Sequence, residues 1–589
     1  MSHPANQPEV PEWAKKVVWY QIFPERFRNG DPSNDPTIED TIGSWPFDYE
    51  SEFKIVPWTS DWYKLQPWED DGRGFYLHAQ RRRYGGDMQG VLDKLDYLQE
   101  LGINAIYFNP VFESPSLHKY DGTMFHHIDD NFGPDPAGDK NLMAAETPDD
   151  PSTWQWTAAD KIFLKVVKEC HCRGIRVIID GVFNHVGLNF FAFDDLKKNQ
   201  QNSRYKTWFT VKQWDDPATE ADEFEYECWA GVKTMPEIKE DDENGFAPEA
   251  WAYMQAAIRR WMDPDGDGNP ADGIDGWRLD VAEKVLPASW KKFRAFIRSV
   301  NPDAYSTGEV WWEKWPEKMF NAGPWLQGDM FDAVMNYRFA NAATKFFINQ
   351  KKKISVTEFD RELAQVRQDY PAEANYVLQN LMDSHDTDRL ASMIINPDRH
   401  YGHMNRVDNN HEYDVRKPNA NERQVQKLIL LFQMTYLGAP MFFYGDEAGM
   451  WGASDPDERK PMLWADLKYE NEKSHPFGKS RPDDENVFDS ELFTYYKKLI
   501  HLRLSSNALM LGDFQTLLID DEKDVYVFQR SYQNEKIIVA INNSNSSQTI
   551  NLTVEKGELT DCLSSKIITS EEGSLELTIP AKKGYILKY

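Results

Sequence analysis

The chain has 589 residues, more than one ordinary hydrophobic core sustains, so two or three domains are expected unless one is a large α/β barrel. A formal charge of −30 argues against a nucleic-acid partner, because phosphates would be repelled, and no apolar run is long enough to span a bilayer. Aromatics are abundant, with 21 Trp, 26 Tyr and 33 Phe; such faces suit sugar rings but also fill cores. The four cysteines, Cys170, Cys172, Cys228 and Cys562, lack zinc-type spacing and are expected as free thiols. Residues 1–13 are polar and Pro-rich, unlike a signal peptide. The chain as written reads as cytoplasmic, or as periplasmic or secreted with its signal already removed.

In chain order, 17–23 (VVWYQIF) is a first buried strand, running into the oxygen-rich turn Asn29-Gly-Asp-Pro-Ser-Asn-Asp35. An irregular Trp-rich segment, 61–83, leads to Tyr84-Gly-Gly-Asp87. Val91, Leu95, Leu98 and Leu101 recur at helical spacing, which predicts a helix over 88–101 stopped by Gly102. The nearly continuous apolar run 103–112 suits a parallel strand buried on both faces. After His118-Lys-Tyr-Asp121 comes a Pro/Gly/Asp-rich insertion, 129–157, then a helix (158–173) and a strand (175–183) ending in Asn184-His185. A small domain, 186–245, interrupts the alternation before a helix at 247–262 and the strand ending Asp275-Gly-Ile-Asp-Gly-Trp-Arg278-Leu-Asp280. Further strands are expected at 304–309, 331–336, 376–383 and 440–444, with helices at 287–299, 338–349, 357–369 and 422–436.

Eight strands alternating with helices predict a (β/α)8 TIM barrel built from 1–185 and 246–505, with 186–245 inserted after strand 3 and 490–504 as the last helix. From 506 to 589 the pattern changes to VYVFQRSY, KIIVAINN, TINLTV and LELTIP separated by turns, as expected of a C-terminal antiparallel β-sandwich.

A barrel of this kind carries its active site at the C-terminal strand ends. Those ends supply Asp180, Asn184 and His185 from the third strand, and Arg278 and Asp280 from the fourth. The fifth gives Glu309, the seventh His385 and Asp386, and His118 and Tyr120 follow the second. Residues two apart on a strand share a face, so Arg278 should sit beside Asp280 and lower its pKa. Carboxylates without a zinc triad point to glycosidic-bond cleavage, which two carboxyl groups perform. An aldolase-type barrel would want a Lys at a strand end, and none is evident.

The segments GVFNH (181–185), GWRLDVAEK (276–284), TGEVW (307–311), DSHDTDR (383–389) and GAPMFFYGDEAGM (438–450) resemble the ordered motifs of the α-amylase family. With YQIFPERF (20–27), SPSLHKYD (114–121), SRYKTWF (203–209) and MPEIK (235–239), the chain is most similar to the neopullulanase, cyclomaltodextrinase and maltogenic amylase branch. Those enzymes usually read VANE where this chain has Val281-Ala282-Glu283-Lys284, and MPKLN at the last motif. The resemblance implies a retaining α-glucan hydrolase that cleaves α-1,4-glucosidic bonds, with α-1,6 bonds left open, in maltodextrins, cyclodextrins or pullulan by double displacement through a glycosyl-aspartate. It assigns Asp280 as nucleophile, Glu309 as acid/base and Asp386 as transition-state stabiliser, with His118, Tyr120, His185, Arg278 and His385 binding substrate. Retention predicts carboxyl groups ~5–5.5 Å apart for Asp280 and Glu309. An exo-acting α-glucosidase or a transglycosylating relative would share this chemistry. A non-catalytic sugar-binding relative would lack one of the three carboxylates.

Two calcium sites are candidates, each open against a plain turn that binds no ion. Asn29, Asp31, Asn34, Asp35, Gly85 and Asp87 resemble the structural calcium site of neopullulanase-type enzymes. Asp263, Asp265 and Asp267 form the first half of an EF-hand-like loop whose twelfth position is Ile274 instead of Glu. The oligomeric state is left open.

Overall fold

The structure, a computed structural model, describes residues 9–47, 52–219, 221–571 and 573–589; residues 1–8 of the Pro-rich start lie outside them. Its centre is a ring of parallel strands: β1 (Trp19–Ile22), β2 (Ala105–Phe108), β3 (Arg176–Gly181), β4 (Gly276–Leu279), β5 (Tyr305–Gly308), β6 (Ala333–Val334), β7 (Gln379–Asn380) and β8 (Ala439–Phe443). They pair in the order β6-β5-β4-β3-β2-β1-β8-β7, and the parallel bridge Met335↔Gln379 closes the ring. β1, β2, β4, β5 and β8 are buried at every position, and β1, β2 and β8 accordingly read as largely apolar runs. Register sets the site: Asp180 pairs with Arg278, and Arg278 with Thr307, so neighbouring strands bring their C-terminal ends to one rim.

The eight expected strands are present, most of them shorter than their apolar runs. β6 and β7 have two residues each, and the turn Ala374–Val377 takes up the start of the predicted seventh strand. The helix expected over 88–101 is two, Met88–Asp93 and Leu95–Leu101, broken where Lys94 leaves helical geometry. The insertion at 129–157 contains a helix, Pro136–Ala144, capped by Asp135.

The inserted domain holds the helix Phe191–Asn199 and two short hairpins, Val211–Gln213 with Glu225–Tyr226 and Glu240–Asp241 with Gly245–Phe246. Its small core is aromatic, with Phe193 edge-on to Phe209 and Tyr226 at 5.0 and 4.7 Å. The bridge His185↔Glu237 pins the domain to the segment after β3.

The strands of the C-terminal domain begin at β9 (Asp513–Asp520), just after the short helix Asn507–Leu511. They continue through β10 (Val525–Tyr532), β11 (Glu535–Asn542), β12 (Gln548–Thr553), β13 (Gly557–Asp561), β14 (Ile567–Ser570), β15 (Ser574–Ile579) and β16 (Lys583–Lys588). Six of these form one sheet and β12 pairs with β15 in a second. Val527, Ile538, Leu552, Leu577 and Leu587 share one core. Buried Arg530 ties this domain to the barrel by donating to the carbonyls of Thr435 and Gly512. All four cysteines are free thiols. Among the described residues, no helix is long and apolar enough to cross a membrane.

Candidate active site

The strand ends converge on a cavity of about 400 Å³ lined by His118, Tyr120, His185, Asp280, Glu309, His385 and Asp386, among others. Every residue that the sequence assigns to chemistry or substrate binding is on this wall except Arg278, which lies beneath it, fully buried.

Arg278 organises the floor. Its Nη1 donates to Asp180 at 2.8 and 2.9 Å and to Asp280 at 2.8 Å, while Nη2 lies 3.0 Å from Glu309 Oε2. One planar guanidinium therefore serves three carboxylates, which suits Arg and not Lys. Arg278 does pull the Asp280 carboxyl down, as its place beside it predicts, but the net shift is upward. Burial pushes the Asp280 carboxyl well above the usual carboxylate range and the charges of Glu309 and Asp180 add to it, although Arg278 pulls the other way. Desolvation and like charge outweigh a cation that is shared three ways. Val281, immediately after Asp280, has φ +40°, a strained conformation for a β-branched residue. Its amide donates to Glu309 Oε2 at 2.9 Å, so the strained turn fastens the two carboxyl groups together.

A second network fixes His385. Gln21 Nε2 donates to its Nδ1 at 2.8 Å, which leaves the proton on Nε2, facing the Tyr120 hydroxyl at 2.5 Å. Tyr120 in turn donates to Asp180 at 2.8 Å, and Tyr107 donates to the same oxygen at 2.6 Å. Burial holds His385 well below its ordinary pKa, with Arg459 and Arg278 adding to the effect, so it is a neutral hydrogen-bond donor. Asp386 sits 3.2 Å from His385 Nε2 and 3.4 Å from Arg459. Burial first and Glu309 second push its carboxyl up to about 7, against Arg459 and Arg278.

His185 is fully buried in the same wall, its pKa lowered to about 4 by burial, and its Nε2 has no protein partner. A neutral imidazole with a spare nitrogen at a cavity wall is ready to bind a hydroxyl. Nδ1 of His118 accepts from the Tyr120 amide at 3.1 Å. Trp311, also on the lining, stacks on Tyr337 with ring centres 4.2 Å apart, and Trp229 from the inserted domain lies 5.5 Å from the His185 ring.

Sequence reading passed over several of these groups. Asp180 was visible only as a strand end, yet it anchors Arg278, Tyr107 and Tyr120. Gln21 and Tyr107 look like ordinary strand residues, and Arg459 reaches the site from a loop beyond β8. Glu283 also lines the cavity; its Oε2 is buried without a partner, and burial, then Glu309, raise its carboxyl to about 7.

Of the residues expected at the first calcium site, Asn29, Asp35 and Gly85 come together. Asn29 donates to Asp35 Oδ1 at 2.7 Å, and the buried amide oxygens of Asn29 and Asn34 have no partner. Burial raises the Asp35 carboxyl to about 6, with Asp87, Glu25 and Asp31 adding like charge. A Cβ on Gly85, at φ +71°, would sit 1.9 Å from Asp35 Oδ1, so only Gly allows this approach. Asp87 is engaged otherwise: its oxygens accept from the amides of Gly30, Asp31 and Gly90 and from Asn34. Asp31 turns back onto Ser33. In the second cluster Asp263 and Asp265 come together, but Asp267 accepts from the Asn269 amide at 2.6 Å and Asp272 takes its place.

The α-amylase catalytic-domain family matches residues 21–146 and 157–512, and the α-amylase C-terminal domain family matches 512–587. Neopullulanase 2 of Thermoactinomyces vulgaris is 37% identical over 583 residues, covering 98% of this chain and 78% of that protein. The cyclomaltodextrinase of Geobacillus thermopakistaniensis (strain MAS1) is 34% identical over 582 residues, with the same coverage. A solved cyclomaltodextrinase structure is similar with a TM-score of 0.71 at 31% identity, over 100% of this chain and 80% of that one. The chain belongs to the α-amylase family and is a glycoside hydrolase.

Proposed function

We propose that this enzyme hydrolyses α-1,4-glucosidic bonds of maltodextrins, cyclodextrins or pullulan with retention of the α-anomer. The observation that carries the reading is one guanidinium joining Asp280 and Glu309 on the cavity floor, with Asp386 on the same cavity. Bridging by a single Arg supports the close carboxyl spacing of a retaining pair.

In this reading Asp280 attacks the anomeric carbon as the anion and forms a β-glycosyl ester, while Glu309 gives its proton to the leaving oxygen. Glu309 then takes a proton from the incoming water, whose oxygen displaces Asp280. The competent state has the anion on Asp280 and the proton on Glu309, and Arg278 contacts both groups, stabilising whichever carries the charge. Neutral His385, His185 and Asp386 hold hydroxyls of the sugar ring, and Tyr120 stacks beneath it. Trp229 and Trp311 offer apolar faces to neighbouring units.

The cluster around Asn29 and Asp35 fits calcium, since its donors are oxygens and two of them are buried without partners. Asn29, Asn34, Asp35 and the Gly85 backbone would hold the ion, with Asp31 and Asp87 shaping the loop. The ion would join the segment after β1 to the segment before Met88–Asp93 and has no part in the reaction.

Product analysis on maltotriose, β-cyclodextrin, pullulan and soluble starch tests the assignment, with the anomer followed by NMR. α-Configured maltose from cyclodextrin, or panose from pullulan, supports it. Glucose alone from short chains, with cyclodextrin untouched, marks an exo-acting α-glucosidase instead. β-Configured products contradict the mechanism.

A further inference from the structure

The segment between helix Pro248–Met262 and β4 carries the alternating pattern Asp263-Pro-Asp265-Gly-Asp267-Gly. It folds back on the helix: the Ile274 amide donates to the Trp261 carbonyl at 2.9 Å, and the Asp275 amide donates to Val177 of β3 at 2.8 Å. Within this fold-back, carboxylate oxygens of Asp263, Asp265 and Asp272 approach within 4.8 Å of one another. Asp263 is only 6% exposed, and its buried Oδ1 has no hydrogen-bond partner. The charges acting on Asp272 are those of Asp265, Asp263 and Asp267, all of its own sign.

A buried carboxylate with an unpartnered oxygen, held close to two more carboxylates, is costly in a chain that already carries a charge of −30. A hard cation removes that cost, because oxygen donors at this spacing can share one ion. A second titratable cluster, His126, His127 and Glu146, has no such deficit. His127 is hydrogen-bonded on both sides, 2.8 Å from Glu146 and 2.8 Å from Asp160.

We propose that Asp263, Asp265 and Asp272 bind a divalent hard cation of the calcium class, which pins the end of helix Pro248–Met262 to the entry of β4. The third ligand is Asp272, ten positions into the loop, and not Asp267, which the spacing alone suggested. Gly266 and Gly268, at φ +71° and +83°, turn the loop so that Asp272 returns to Asp263. The ion lies at the N-terminal end of the strand whose other end carries Arg278 and Asp280. It holds that strand in place and does not touch the substrate. This site is independent of the cluster around Asn29 and Asp35.

The test uses the full chain, stripped with chelator and equilibrated with calcium chloride, with bound calcium counted by mass spectrometry after dialysis. The Asp263→Asn/Asp272→Asn double variant should bind one calcium ion fewer than the unaltered chain and lose part of the calcium-dependent rise in Tm. Asp265→Asn, at an exposed position and so safe for folding, should weaken the same binding at least tenfold. Asp267→Asn and Gly85→Ala should each retain this ion. An unchanged calcium count in the double variant overturns the proposal, as does loss of the ion in Asp267→Asn to the same extent.

Discussion

Replacing Arg278 by Met keeps much of the side-chain volume and removes the only cation that contacts Asp180, Asp280 and Glu309 among the described residues. Breaking a buried ion pair on one side typically costs about 3–5 kcal/mol, because the remaining charge is left without compensation. Here three carboxylates lose their partner at once, but Asp180 and Asp280 can offset part of the loss by taking up protons. Asp180 and Asp280 already stand above their ordinary pKa, both through burial first, and loss of the Arg moves them further up. A folded-state pKa above the unfolded value means that the folded protein binds more protons, so stability falls as pH rises. The penalty of Arg278→Met should therefore be modest at pH 5 and reach the full ~3–5 kcal/mol by pH 8, lowering Tm by a few degrees in a chain of this size. Urea unfolding at the two pH values, at fixed calcium, measures it. Arg278→Lys should recover only part, since a point charge cannot fork to three acceptors. A penalty equal at both pH values, or larger at pH 5, would refute the assignment of Arg278 as the shared counter-charge.

Other outcomes follow from the same geometry. Asp280→Asn should lower kcat on the order of 10⁴-fold or more with Tm unchanged or raised, as the substitution removes a buried charge; a melting curve and a maltotriose assay check both. Glu283→Gln should leave stability at pH 5 nearly unchanged and raise it at pH 8 by roughly 1–3 kcal/mol. The carboxyl raised to about 7 withdraws its support as pH climbs from its unfolded value toward that point. Parallel unfolding curves at pH 5 and 8 decide this. Gly85→Ala should reduce the gain in Tm on adding calcium, because its Cβ would overlap Asp35 Oδ1; calorimetry with and without chelator reads the difference.

Much of the cavity floor could be read from the residues. Parallel strands buried on both faces leave few polar positions, and those polar positions collect at the strand ends, so Arg278, Asp280, Glu309 and Asp386 were all identifiable. The networks holding them were not. Gln21 and His385 are 364 positions apart, and only the register of β1 against β8 and the closure of the ring brings them together. Arg459, 74 positions from His385, arrives on a loop whose course no periodicity encodes. The net shift at Asp280 runs against the Arg278 contribution for a related reason. A pairwise rule between Arg278 and Asp280 contains neither the burial of the floor nor the two further carboxylates competing for the same guanidinium. The acidic loop after Met262 shows the same limit: spacing suggested Asp263, Asp265 and Asp267, but the backbone returns Asp272 to the cluster. β6 and β7 fell short of their apolar runs because burial alone produces such runs, whether or not the backbone pairs in a ladder.

The most direct test of the account is to trap the intermediate. Glu309→Gln cannot activate water, and an α-maltosyl fluoride donor needs no acid to lose its leaving group, so the glycosylated enzyme should accumulate. After a rapid quench and proteolysis, mass spectrometry should find one maltosyl unit on the peptide carrying Asp280. An adduct on any other carboxylate, or release of β-maltose without an adduct, would contradict the mechanism.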